Sequence, residues 1–183
     1  TKINAENFNA FQSFNYPPLA TAGIHIKYDL DRIKRADPRL PMHPHYAFDT
    51  NVIILTLFPG IQENIIRNAL STPGLKAVIL KTYGSGNAPQ KPWFIKLLTE
   101  VTQRGIVIVN ISQCPTGTVE MARYETGIHL LDAGVISGYD ATVECVLTKL
   151  MFLLGHDLTP QEIRNEMSRS LAGEITRPEM PTR

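Results

Sequence analysis

Two stretches of this sequence carry residues able to meet a ligand. The first is "KTYGSGNAP", from Lys81 to Pro89. Gly84 and Gly86 there free the backbone to take positive φ and to approach a bound group without a Cβ in the way. Asn87 offers an amide, and Pro89 stiffens the exit. The same residues also suit a tight turn into a helix, with Asn87 capping backbone groups, and from spacing alone the turn is the simpler reading. The loop matches neither G-x-G-x-x-G nor a Walker pattern, so no phosphate cradle is expected.

The second stretch is "SQCPTGTVE", with Cys114, Thr116 and Thr118. A nucleophilic cysteine needs a histidine beside it. The nearest in sequence, His129, lies within "GIHLL" and reads as a packed or half-exposed helix residue. Thr116 before Gly117 is a hydroxyl donor or an ST turn. His43 and His45 flank Pro44 without nearby acids or thiols, and no metal site is expected.

The elements that must position these loops are legible from Asn51 onward. "NVIILTLF", "KAVILK" and "GIVIVNIS" are apolar runs of the kind found in strands covered on both faces. Between them, "IQENIIRNALS" repeats Ile61, Ile65 and Ala69 at helical spacing. "KPWFIKLLTEVTQRG" places Phe94, Leu97, Leu98 and Val101 on one face, with Pro92 suited to the first turn. Three more helices should follow. One holds Tyr124, Ile128 and Leu131; one is "ATVECVLTKLMFLL", capped by Asp140; the last is opened by a Thr159/Glu162 capping box and buries Ile163, Met167 and Leu171. Alternating strands and helices predict an α/β domain with a parallel sheet flanked by helices. Ligands then meet the loops at the carboxyl ends of the strands, which are the two above and "FPG" at Phe58–Gly60.

The first fifty residues are different. "NYPPLA" and "DPRLPMHPHYAFD" are proline-rich and suit a linker crossing a surface, with a hairpin as one form it can take. "AGIHIKY" alternates Ile24 and Ile26 with polar neighbours, as a half-buried strand does. The expected organisation is a linker segment with a strand over 1–50, an α/β domain over 51–175 and a tail over 176–183.

Composition narrows the function. A chain of 183 residues holds one complete core. A formal charge of +1, with basic and acidic residues scattered, gives no footprint for nucleic acid or an acidic membrane. Cys114 and Cys145 form no C-x-x-C pair, which suits a reducing compartment. No apolar run approaches the roughly 20 residues that span a bilayer. The opening "TKINAENFNAF" has no basic-then-apolar order and no methionine, so the expected start lies inside a longer protein.

Four stretches, "PPLATAGIHI", "KTYGSGNAPQ", "VNISQC" and "YETGIHLLDAGVISGYDATVECVLTKL", together resemble the C-terminal portion of bacterial cytoplasmic (type I) L-asparaginases. The resemblance keeps order and spacing from Thr1 to about Glu174. It implies the Rossmann-like C-terminal domain of the asparaginase fold and the hydrolysis of L-asparagine to L-aspartate and ammonia. Family members carry two threonine motifs, of the kinds "TGGTIA" and "HGTD", in an N-terminal domain. Neither is present here, so this stretch alone is expected to be inactive.

Site residues follow from the same resemblance. Lys2 matches the catalytic lysine, which manages protons with a second threonine and an aspartate while another threonine attacks the amide. Asn87 matches a contact near the substrate's α-amino end. Tyr124 is a second substrate contact, standing where periplasmic relatives have glutamate, with Glu125 as the neighbouring carboxylate. Thr1, Lys81 and Cys114 match a regulatory asparagine site of some members; Lys81 replaces an arginine there and lacks its bidentate grip on a carboxylate. No cofactor is implied. Implied partners are L-asparagine, the N-terminal asparaginase domain and further copies in a homodimer or homotetramer. Two other roles fit the same chain: an asparaginase-like subunit of a tRNA-dependent amidotransferase, and a non-catalytic amino-acid sensor.

Overall fold

The structure, a computed structural model, describes residues 1–123 and 125–176. It divides into two compact units, Thr1–Tyr46 and the chain from Ala47 onward.

The first unit is held by backbone pairing. The Thr1 ammonium donates to Gln12 O at 2.9 Å, Gln12 N returns a bond to Thr1 O at 3.0 Å, and Lys2 bridges Phe11. Strands β1 (Ala20–Ala22) and β2 (Ile26–Tyr28) pair antiparallel, with Ala22 opposite Ile26. "AGIHIKY" is therefore not one half-buried strand. Its middle, Gly23 to His25, is the hairpin turn, closed by Gly23 N donating to His25 O at 3.2 Å, and Ile24 is fully exposed at the tip. A three-residue loop between pairing strands is a common hairpin connection, and it took residues that alternation alone assigns to a strand.

The second unit is a parallel sheet in the order β3 (Val52–Thr56), β4 (Ala77–Thr82), β5 (Val107–Ser112), β6 (Ile136–Ser137). Side chains alternate across it. Val78, Leu80 and Ile108 pack on one face with Ile66 and Leu70 of α1 (Glu63–Leu70), Phe94, Leu97, Leu98 and Val101 of α2 (Pro92–Gln103), and Leu130 of α3 (Glu125–Asp132). Ala77, Ile79, Val107, Val109 and Ile111 pack on the other with Val146, Leu150 and Leu153 of α4 (Val143–Leu154) and Ile163 and Met167 of α5 (Pro160–Met167). Cover on both faces is why β4 and β5 read as unbroken apolar runs. Strand β3 is an edge strand, and its Ile54 stays 45% exposed.

Helix faces agree with the periodicity where the helix start was placed correctly. In α2 all four expected residues are buried. In α1 the buried pair is Ile66 and Leu70, and Ile65 is exposed. Ile61 lies in the turn before the helix, where its N–H donates to Phe58 O at 3.2 Å, so it cannot set the helical phase. In α3 the buried residues are Gly127 and Leu130, whereas Ile128 and Leu131 face out. A Cβ on Gly127 would fall 2.7 Å from Met121 Cα, so α3 sits directly against the preceding loop. Tyr124 lies outside the described residues, as does the expected tail beyond Thr176.

The α4 cap is Thr142, whose hydroxyl accepts from Cys145 N at 3.3 Å; Asp140 instead accepts from Thr176 N at 2.7 Å. The α5 capping box forms as expected: Glu162 N donates to Thr159 Oγ1 at 3.3 Å and Thr159 N to Glu162 Oε2 at 2.8 Å. After α5 the chain folds back on α4 through a buried ion pair, Lys149 Nζ to Glu174 Oε1 at 2.7 Å. Lys149 also donates to Met167 O at 3.3 Å and to Arg169 O. Burial alone would raise the Glu174 carboxyl. The N–H of Leu171, the Lys149 ammonium and the N–H of Ala172 outweigh it and hold the group at about 2.

Candidate functional site

Strands β4 and β5 run in register to one edge, with Lys81 opposite Ile111 and Thr82 opposite Ser112. Both candidate loops leave from that edge. The first closes on itself: Tyr83 N donates to Asn87 O and Asn87 N to Tyr83 O, each at 2.9 Å, and Gly86 N adds a third bond to Tyr83 O. The turn needs Gly84 and Gly86 at φ 46° and 111°. At Gly86 there is also no space, since a Cβ would lie 2.8 Å from Val119 Cγ1.

Beneath the loop lies a buried polar pair. Thr82 Oγ1 donates to Asn110 Oδ1 at 2.7 Å, and Asn110 Nδ2 donates upward to Gly86 O at 3.3 Å; neither side chain reaches solvent. Buried polar groups are tolerated only when their hydrogen bonds are made, and here they tie the strand ends to the turn. Ser112 Oγ donates to Gly84 O at 2.6 Å and accepts from Cys114 N at 2.9 Å. Gln113 Nε2, just past β5, ties together the ends of three strands by donating to Leu57 O, just past β3, at 2.7 Å and to Lys81 O of β4 at 3.0 Å. On the far side Glu120 N donates to Ser85 O at 3.0 Å, and Thr126 Oγ1 of α3 donates to Asn87 Oδ1 at 2.8 Å. Asn87 is thus half-buried and held both by its backbone and by its side chain.

A cavity of about 460 Å³ opens beside this turn, lined by Phe58, Gly60, Tyr83, Pro89, Lys91 and Trp93 among others. Among the described residues no cluster of three or more His, Cys, Asp or Glu could hold a metal ion. No helix among them is long and apolar enough to cross a membrane.

The structure therefore brings Lys81, Asn87 and Cys114 to one sheet edge. Lys81 is half-buried, and its carbonyl accepts from Leu57 N at 3.0 Å as well as from Gln113. Cys114 is exposed and not in a disulfide. His129 pairs with Glu125 at 3.9 Å on α3. Thr1 and Lys2 belong to the first unit, where Thr1 is half-buried and Lys2 exposed. The sequence reading missed Thr82, Asn110, Ser112, Gln113 and Thr126. Asn110 carried a signal, being a polar residue inside a strand otherwise covered on both faces. Gln113 and Thr126 carried none, because their partners lie 32 to 56 residues away. Chemically the edge holds the Asn87 amide at a fixed place, through its backbone bonds to Tyr83 and its side-chain bond from Thr126.

Comparison with known proteins agrees with this fold. Residues 51–167 match the model of the glutaminase/asparaginase C-terminal domain. L-asparaginase 1 of Escherichia coli (strain K12) is 46% identical over 177 residues, covering 96% of this chain and 52% of that protein. The 60 kDa lysophospholipase of Homo sapiens is 39% identical over 184 residues, covering the whole chain and 32% of that protein. In the crystal structure of L-asparaginase I from Vibrio cholerae, the matching chain superposes with a TM-score of 0.90 at 41% identity, over 97% of this chain and 53% of that one. This chain thus spans about half the length, or less, of the relatives it matches. Together with the parallel sheet and its glycine-shaped edge loop, these likenesses establish that the chain belongs to the glutaminase/asparaginase C-terminal domain family.

Proposed function

We propose that this chain is the C-terminal part of an L-asparaginase, hydrolysing L-asparagine to L-aspartate and ammonia. The observation that carries the reading is the 46% identity to an L-asparaginase across 96% of the chain, in a fold whose edge loop holds Asn87 from two sides. In this mechanism a threonine hydroxyl of an N-terminal domain attacks the side-chain amide carbon. The C–N bond breaks, ammonia leaves with a proton, and water then hydrolyses the ester to release aspartate. Lys2 assists the proton transfers, and Asn87 and Tyr124 bind the substrate. The segment 1–50 acts as the linker between that domain and the α/β domain of 51–175.

The same reading makes the protein a cytoplasmic homodimer or homotetramer, with asparagine also binding at Thr1, Lys81 and Cys114. A lysine at position 81 meets a carboxylate as a point charge, so regulation through it is weaker than an arginine would give. Ammonia release from L-asparagine by the intact protein, measured beside L-glutamine, tests the proposal. Release from asparagine supports it; no release from either amide refutes it.

A further inference from the structure

The loop that presents Asn87 is locked at three places to α3 and the chain just before it. Glu120 N donates to Ser85 O, Val119 fills the space that a Cβ on Gly86 would need, and Thr126 Oγ1 donates to Asn87 Oδ1 at 2.8 Å. The last contact is the one with chemical content. A primary amide has one acceptor end and one donor end, and a side chain free to rotate presents either. Thr126 removes that freedom by giving its proton to Oδ1, which turns the Nδ2 donors to the opposite side. Thr126 itself is well fixed: it sits in the first turn of α3, one residue before Gly127, whose backbone touches Met121. It is partly buried, so water competes poorly for its hydroxyl.

We infer that Thr126 is a positioning residue for Asn87, holding its amide so that Nδ2 donates to an oxygen of the bound amino acid. The inference rests on the proposed asparagine hydrolysis for the identity of that amino acid. It also refines the expectation from sequence, in which Asn87 lies near the α-amino end. An ammonium offers only donors, so the group that Asn87 Nδ2 reads there is a carboxylate or carbonyl oxygen.

The test uses the intact protein and two variants. Thr126→Val keeps the shape of threonine and removes the hydroxyl, whereas Thr126→Ser keeps the hydroxyl. Steady-state ammonia release should show KM for L-asparagine raised about 3- to 10-fold in Thr126→Val, as expected for one hydrogen bond lost from a ligand contact, with kcat changed less. Thr126→Ser should return KM to within about twofold of the parent, since the bond is remade. An unchanged KM in Thr126→Val, or a serine variant as impaired as the valine one, overturns the inference. A second readout separates its failure from that of the hydrolase reading. The ¹⁵N side-chain amide signals of Asn87 should move in Thr126→Val and stay in place in Thr126→Ser, with or without turnover. Signals that ignore both substitutions contradict the inference even in an active enzyme, and signals that move as stated support the positioning contact even in an inactive one.

Discussion

The two units of this chain use apolar residues in opposite ways. Between residues 1 and 46 no side chain is buried, although Phe8, Phe11, Ile24, Leu40, Met42 and Tyr46 are all there. Order in that unit comes from backbone pairing at Thr1–Gln12 and in the β1–β2 hairpin. From residue 47 onward, apolar runs close two cores, one on each face of the sheet. Backbone bonds exchanged against water contribute little net free energy each, whereas burial of large apolar side chains dominates stability. The α/β unit therefore has its own source of stability, and the hairpin unit has pairing without a core.

Substitutions test that contrast directly. Phe94, fully buried on α2, should be among the most sensitive positions: Phe94→Ala is expected to cost about 3–5 kcal/mol, read as a lower midpoint in urea unfolding. The Lys149–Glu174 pair should come close behind. Replacing Glu174 by Gln leaves a buried ammonium without its counter-ion and is expected to cost about 3–5 kcal/mol. The same pair sets an acid limit. Because the folded Glu174 carboxyl is held at about 2, below the ordinary 4.5, its contribution is complete above about pH 4.5 and is lost as pH falls towards 2. Acid titration followed by circular dichroism should show that loss in the parent and lack this component in Glu174→Gln.

Smaller effects sharpen the comparison. Thr82→Val strips the donor from buried Asn110 and should cost about 1–3 kcal/mol, with faster hydrogen exchange at Gly86 and Asn87. Phe8→Ala, at a fully exposed position in the first unit, should change stability by less than about 0.5 kcal/mol. A large loss at Phe8, comparable to that at Phe94, would erase the distinction between the units.

Much of the α/β architecture was legible because its signals are local. Unbroken apolar strands, the α2 stripe and the Thr159/Glu162 box each depend on residues within one element. Phase was lost where an element began later than its first apolar residue, as at Ile61, and at α3, where close approach of Gly127 to Met121 decided the buried face. The α4 cap is Thr142, because the helix begins at Val143, two residues later than a cap at Asp140 requires; Asp140 accepts instead from Thr176, 36 residues away. The loop glycines announced a tight turn, yet nothing in "YGSGN" announced that Ser112, Asn110 and Thr126 would hold it. Those contacts join elements distant in sequence, and their register follows from the folded sheet, not from any local pattern.

The central claim is that the Asn87 loop forms one wall of an amide-hydrolysing pocket. Ammonia release from L-asparagine by the intact protein and by its Asn87→Ala variant, at equal folded concentration, tests it most directly. The account predicts turnover in the parent and a loss of kcat/KM of about tenfold or more in the variant, the size expected when a hydrogen bond to a charged ligand is removed. An inactive parent, or a variant with undiminished kcat/KM, would contradict it.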